Sequence, residues 1–116
     1  GNDGPVAFPR YPAAYSSVIA VTAIDAALNI YSRACQGDHI AFAAPGVGVR
    51  VADASTGRDQ AMDGTSVAAV FVAAALALEQ SEGADKVERM EVQAKDLGAL
   101  GKDVIFGYGL PQVHLP

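Results

Sequence analysis

The sequence predicts an α/β domain, and three observations carry that prediction. Two short runs, 18–23 and 40–44, are almost wholly apolar, the pattern of strands buried on both faces. A third run, 67–78, is of helix length, carries no charge and holds one Phe, two Leu, three Val and otherwise Ala. The composition agrees, since 51% of the 116 residues are hydrophobic and Ala and Gly are abundant, which suits thin helices packed closely on a sheet.

Each element follows in order. Residues 1–17 read as loop, with Gly, Pro, small polar residues and the tyrosines Tyr11 and Tyr15. The first strand covers 18–23. Residues 25–29 turn, and Ile30-Tyr31 open a short second strand. The run 40–44 is a buried strand ended by Pro45-Gly46. Residues 47–52 continue extended, and the polar stretch 55–60 reads as a hairpin tip leading back toward Ser66. The central helix spans 65–80; apolar on every side, it is expected in the middle of a domain rather than on its surface. Ser81-Glu82-Gly83 break it. A second helix spans 85–95, with Val87, Met90, Val92 and Ala94 for an inner face and Glu88, Arg89, Glu91 and Lys95 for a solvated one. Asp96-Leu97-Gly98 end it, and 104–108 form a last short strand. No repeat and no linker divides the chain.

Thirteen acidic against eight basic residues give a net charge of −5, which disfavours nucleic acid as a partner. No apolar stretch reaches membrane length, and no signal peptide opens the sequence. Cys35 is the sole cysteine, so no internal disulfide forms, and a lone thiol in a small loop is assigned no role. His39 and His114 read as surface histidines without a catalytic task. No cofactor is expected.

The chemistry centres on Asp63-Gly64-Thr65-Ser66 at the mouth of the uncharged helix. A serine there sits near the positive end of the helix dipole and its free N–H groups, a suitable place for a nucleophile whose intermediate carries negative charge. A cap is the plainer account of Gly-Thr-Ser by itself. Its company decides otherwise. Gly1-Asn2-Asp3-Gly4 opens the chain, followed by Tyr11-Pro12-Ala13-Ala14-Tyr15, Val18-Ile19-Ala20-Val21, Ala44-Pro45-Gly46-Val47 and Phe106-Gly107-Tyr108-Gly109-Leu110. In this order the set resembles the C-terminal half of a subtilisin-like serine protease, over essentially the whole chain.

The resemblance implies the C-terminal part of a three-layer fold with a mostly parallel sheet and a buried central helix, so that 1–116 form a partial peptidase domain. It implies Ser66 as nucleophile and Asn2 as the side-chain donor of the oxyanion hole, with Gly1, Asp3, Gly64 and Thr65 lining the substrate. The family's Asp and His lie upstream of the asparagine, so the chain is expected to be inactive alone and to need an N-terminal subtilase segment as partner. Asp63 is a poor substitute base for a serine at neutral pH. The implied substrate is a peptide or protein, with Asp3 favouring basic side chains, and the implied location is secreted or periplasmic. A cation that some subtilases hold with a carboxylate shortly before Ala-Pro-Gly is not expected, because His39, Ile40 and Ala41 stand there. Departures follow the serine: Val70 replaces a proline, Phe71 a histidine and Ala74 a glycine. They leave open an alternative, a non-catalytic subtilase-like scaffold or interaction module. Strands meant for a larger sheet leave an exposed edge, through which homo-oligomers are expected.

Overall fold

A computed structural model describes residues 1–79 and 85–113. Gln80, Ser81-Glu82-Gly83 and His114 lie outside the described residues, and the central helix ends at Leu78, before residue 80, with Glu79 already extended. The elements are β1 (Ala20–Ile24), β2 (Ile40–Pro45), β3 (Val49–Ala52), β4 (Asp59–Met62), α1 (Thr65–Leu78) and α2 (Asp85–Gln93). β1 and β2 pair in parallel, with Thr22 opposite Ala43 and Ala23 opposite Ala44. β3 and β4 form a separate antiparallel hairpin, Val49 opposite Met62 and Ala52 opposite Asp59. The α/β class and the parallel pairing are as the sequence predicts.

The parallel pair is apolar on both faces because each face has something to cover. α1 lies on one face. Ala23, Phe42 and Ala44 meet Ala68, Val72 and Ala75 of α1 and Met90 of α2, all buried. On the other face Ile24 and Ala43 pack with Leu97, closed over by Leu28, Phe106 and Leu110. Small residues do much of this work, because Ala on the strands and the helix lets the two backbones approach closely. Gly46 marks the limit: a Cβ there would stand 2.6 Å from Ala23 Cβ and 2.7 Å from Gly64 O. Its backbone N–H donates to Ile24 O at 3.0 Å and its carbonyl accepts from Gly64 at 2.7 Å, so the end of β2 is tied to β1 and to the mouth of α1.

Several expectations are corrected. α1 buries a single stripe, Thr65, Ala68, Val72 and Ala75, while Val70 is 67% exposed and Phe71 44%. This chain covers one face of the uncharged helix and leaves the rest open. β1 starts at Ala20 rather than residue 18, because Val18 closes a turn by donating to Tyr15 O at 3.0 Å. Ile30 makes only an isolated bridge to Ile24, not a strand. Asp59 and Gln60, expected in the hairpin tip, belong to β4. Val92 of α2 points outward, 81% exposed, and Met90 fills the inner face.

The expected strand at 104–108 is a glycine-punctuated turn. Gly107 and Gly109 adopt φ of 62° and 101°. A Cβ on Gly107 would collide with the Ala41 carbonyl, and one on Gly109 with that of Lys95. Only glycine brings this backbone so close. The segment still serves β2, since Tyr108 donates to Ala41 O at 2.8 Å and Gly109 O accepts from Ala43 at 2.9 Å. That edge of the parallel pair is therefore partly capped.

Candidate active site

The opening loop reaches the mouth of α1. Gly4 donates to Arg33 O at 2.8 Å and Cys35 donates to Gly1 O at 2.9 Å, so residues 1–4 run along 33–35. Buried Cys35 lies directly beneath, its Sγ only 2.7 Å from where a Cβ on Gly1 would stand. Gly1 is glycine because the thiol fills that space. The Gly1 nitrogen donates to Thr65 Oγ1 at 3.1 Å, and the Thr65 N–H donates to Asn2 Oδ1 at 3.0 Å. Two residues 63 positions apart in the sequence are thus joined.

The second of these bonds fixes the carboxamide. The Thr65 N–H can only donate, so the atom facing it is the Asn2 oxygen, and Nδ2 faces elsewhere. Among the described residues Nδ2 has no acceptor. Gly64 shows where it stands. A Cβ built on Gly64 would lie 3.7 Å from Asn2 Nδ2 and 3.9 Å from the backbone nitrogen of Ser66. Two N–H donors therefore flank one small space, which a side chain at 64 would enter. Gly64 itself has φ 153° and ψ 154°, a combination that costs any other residue strain. It precedes α1 without a side-chain cap. The first N–H groups of the helix are left for Asn2 and for the open space.

Ser66 is exposed at this point. Its hydroxyl has no partner among the described residues, and it stands on a ridge between two cavities. One, about 320 Å³, has Gly1, Arg10, Tyr11, Thr65 and Ser66 in its wall. The other, about 360 Å³, lies between the β3–β4 hairpin and α1, with Met62, Val67, Val70 and Phe71. Asp63 turns away, its Oδ1 accepting from the Gly48 N–H at 2.6 Å and tying the hairpin to the helix mouth.

The sequence placed Asn2, Gly64, Thr65 and Ser66 together, and the structure brings them together. It also gives two of the predicted residues partners of their own. Thr65 is 6% exposed, and its hydroxyl, engaged by Gly1, braces the loop at the cavity wall. Asp3 is not a free carboxylate, since Arg10 Nε donates to its Oδ2 at 2.9 Å. Arg10 and the 33–35 support were not singled out from sequence. A cationic residue following a carboxylate at a separation of seven, within one loop, was the available signal for the pair.

His39 is not part of this arrangement. It precedes β2 and lines a cavity of about 590 Å³ with Tyr15, Asp38, Glu91, Lys102 and Tyr108, whose wall does not include Ser66. It is half-buried, not exposed as expected, and burial lowers its pKa from 6.5; Lys102 acts in the same direction, Asp38 against it. Lys102 Nζ donates to Asp38 O at 3.1 Å and lies 5.3 Å from the Tyr108 ring centre. Asp25 is likewise occupied locally: hydrogen bonds from Asn29 and Ala27 hold its carboxyl below 3.8. Among the described residues no cluster of three or more His, Cys, Asp or Glu is arranged to hold a metal, and no helix is long and apolar enough to cross a membrane.

Residues 1–109 match the pattern of the subtilase family. The chain is 40% identical over 120 residues to the minor extracellular protease Epr of Bacillus subtilis (strain 168), an alignment covering 97% of this chain and 18% of that protein. It superimposes on the crystal structure of a lanthipeptide protease with a TM-score of 0.71 and 27% identity, covering 87% of this chain and 42% of the other. The chain thus spans about a fifth of the curated relative's length and less than half of the solved one. On the family match and these likenesses, the chain belongs to the subtilase family.

Proposed function

We propose that this chain supplies the nucleophile and the oxyanion donors of a secreted serine endopeptidase, with the general base and its carboxylate partner contributed by residues outside it. The observation that carries the proposal is the pair of donors beside Gly64. Asn2 Nδ2 and the Ser66 N–H flank one space next to an exposed, unpartnered serine hydroxyl. A peptide carbonyl whose carbon met Ser66 Oγ would put its oxygen there. A base removes the Oγ proton, Oγ bonds to the carbonyl carbon, and the carbonyl electron pair moves onto oxygen between the two donors. The amine then leaves with that proton, and water releases the acyl group. The position at the N-terminus of α1 adds a favourable local dipole. The extracellular relative supports secretion.

The protein divides the work so that this chain contributes electrostatics and the nucleophile. His39 lies in another cavity, and Asp63 is held by Gly48. By itself the chain is therefore expected to be inert to an activated serine reagent. The test is a fluorophosphonate probe applied to the full-length protein carrying this segment and to the 116-residue chain. Stoichiometric labelling at Ser66 in the former, lost in Ser66→Ala, is the expected result. Absence of labelling in the full-length protein would favour a non-catalytic subtilase-like scaffold, a reading to which the Val70-Phe71 pair after the serine also belongs.

A further inference from the structure

We infer that Arg10 selects an acidic side chain at the substrate residue whose carbonyl is attacked. The inference rests on the endopeptidase reading and concerns the same site. Among the residues lining the cavity between the opening loop and Ser66, Arg10 is the one charged side chain. Asp3, which the sequence suggested as an anchor for basic substrates, is outside that wall and is already paired.

The geometry of the pair decides which charge a substrate meets. Asp3 Oδ2 engages the guanidinium through Nε alone, at 2.9 Å. Among the described residues the two terminal nitrogens of Arg10 have no acceptor. A guanidinium held from its Nε edge presents its remaining donors as a fork, the shape that matches a second carboxylate. Asp3 thus acts as a positioning group, and the pair as a whole leaves donors rather than acceptors to the cavity. The stem of Arg10 is fixed too. Its Cγ lies 3.2 Å from where a Cβ on Gly1 would stand, and its carbonyl accepts from Ala14 at 2.9 Å. The side chain is therefore anchored beside the Asn2 loop.

Stability does not account for the pair. Both side chains are at least half exposed, 58% for Arg10 and 50% for Asp3, where an ion pair contributes little to folding. The second cavity at Ser66 repeats the pattern. Its one charged wall residue is Arg50, whose Nη2 meets Asp59 at 2.8 Å. Among the described residues no carboxylate lines either cavity that includes Ser66. A basic side chain would find no partner on either side of the nucleophile, and an acidic one would find donors. This local cation stands against the chain's net charge of −5, so the selection acts at contact range and not through the field of the whole molecule.

The test uses the full-length protein and peptides that differ only at the residue preceding the cleaved bond, with Glu, Gln or Lys there. The expected kcat/KM for Glu over Gln is about tenfold or more, the size of a charge-assisted hydrogen bond, with Lys the poorest. Arg10→Gln brings the Glu to Gln ratio near one. Asp3→Asn keeps a ratio favouring Glu, but a smaller one, because the guanidinium remains and loses the carboxylate that positions it. Fluorophosphonate labelling of each preparation separates the two ideas. Full labelling with no preference for Glu, or with a preference for Lys, overturns the Arg10 inference alone. A wild-type protein that neither labels nor cleaves overturns the endopeptidase reading, and this inference with it.

Discussion

Gly64 at the helix mouth and His39 before β2 each carry a prediction at the scale of a single residue. Gly64 holds φ 153°, and its missing side chain leaves open the space between the two donors. Gly64→Ala in the full-length protein is expected to cut kcat by about a hundredfold or more, comparable to losing one oxyanion donor, which in subtilisin itself costs about 10²–10³. It should also destabilise the fold by about 1–3 kcal/mol through backbone strain. A variant with full turnover would show that the oxyanion does not occupy that space. His39 yields a pH prediction. Its folded-state pKa is depressed below 6.5 by burial, so the unfolded chain binds the proton more readily. Its share of stability is complete above pH 6.5 and falls away as pH drops toward the lowered value. Urea midpoints followed downward from pH 7.5 should decline more steeply in the wild type than in His39→Gln. Equal slopes would remove His39 from the account. The site residues were legible because Asn2, Gly64 and Ser66 lie in compact motifs. Arg10 was not, because a surface arginine gains meaning only from what it touches.

Elements were legible where burial acts on both faces and obscure where tertiary contacts set the ends. The runs at 18–23 and 40–44 became β1 and β2 with shifts of one or two residues. Their boundaries moved because turn hydrogen bonds, such as Val18 to Tyr15, compete with pairing at strand ends. The hairpin strand Asp59–Met62 escaped the apolar pattern because all four residues are exposed, so no period of two marks it. Cross-strand pairing and the Arg50–Asp59 contact support it instead. At 104–108 the error ran the other way. Apolar residues suggested a strand, but Gly107 and Gly109 bend the backbone into contact with Ala41 and Lys95. The central helix was legible from its start to within two residues of its end, which falls at Leu78. How much of it this chain would cover was not, since an uncharged sequence carries no mark of which side meets the sheet.

At the scale of the whole molecule, the open faces have a consequence. Val70, Phe71 and Leu78 of α1 are at least 44% exposed, and Val6, Phe8 and Leu100 at least 89%. Apolar exposure of this kind favours association. The parallel pair has two strands, and its β2 edge is partly capped by Tyr108 and Gly109. Association of the 116-residue chain is therefore expected through the open face of α1 more than through a strand edge. Light scattering after size exclusion should show a mass that rises with concentration, and Val70→Gln with Phe71→Gln should lower it. A monomer throughout the concentration range would contradict the expectation. Asp3, Asp59 and the rest of the acidic excess keep the net charge at −5, which limits association without abolishing it.

The sequence by itself determined the class of fold and which residues gather at the helix mouth. Both are written in local terms, apolar runs without charge and short ordered motifs whose residue types admit few other uses. Tertiary structure alone decided that the Thr65 N–H turns the Asn2 amide toward Ser66, that Arg10 takes up the charge of Asp3, and that α1 is covered on one side. Those are matters of distance and direction between groups remote in the chain. Hydrogen bonds and ion pairs depend on both within a few tenths of an ångström, which a linear order of residues does not specify.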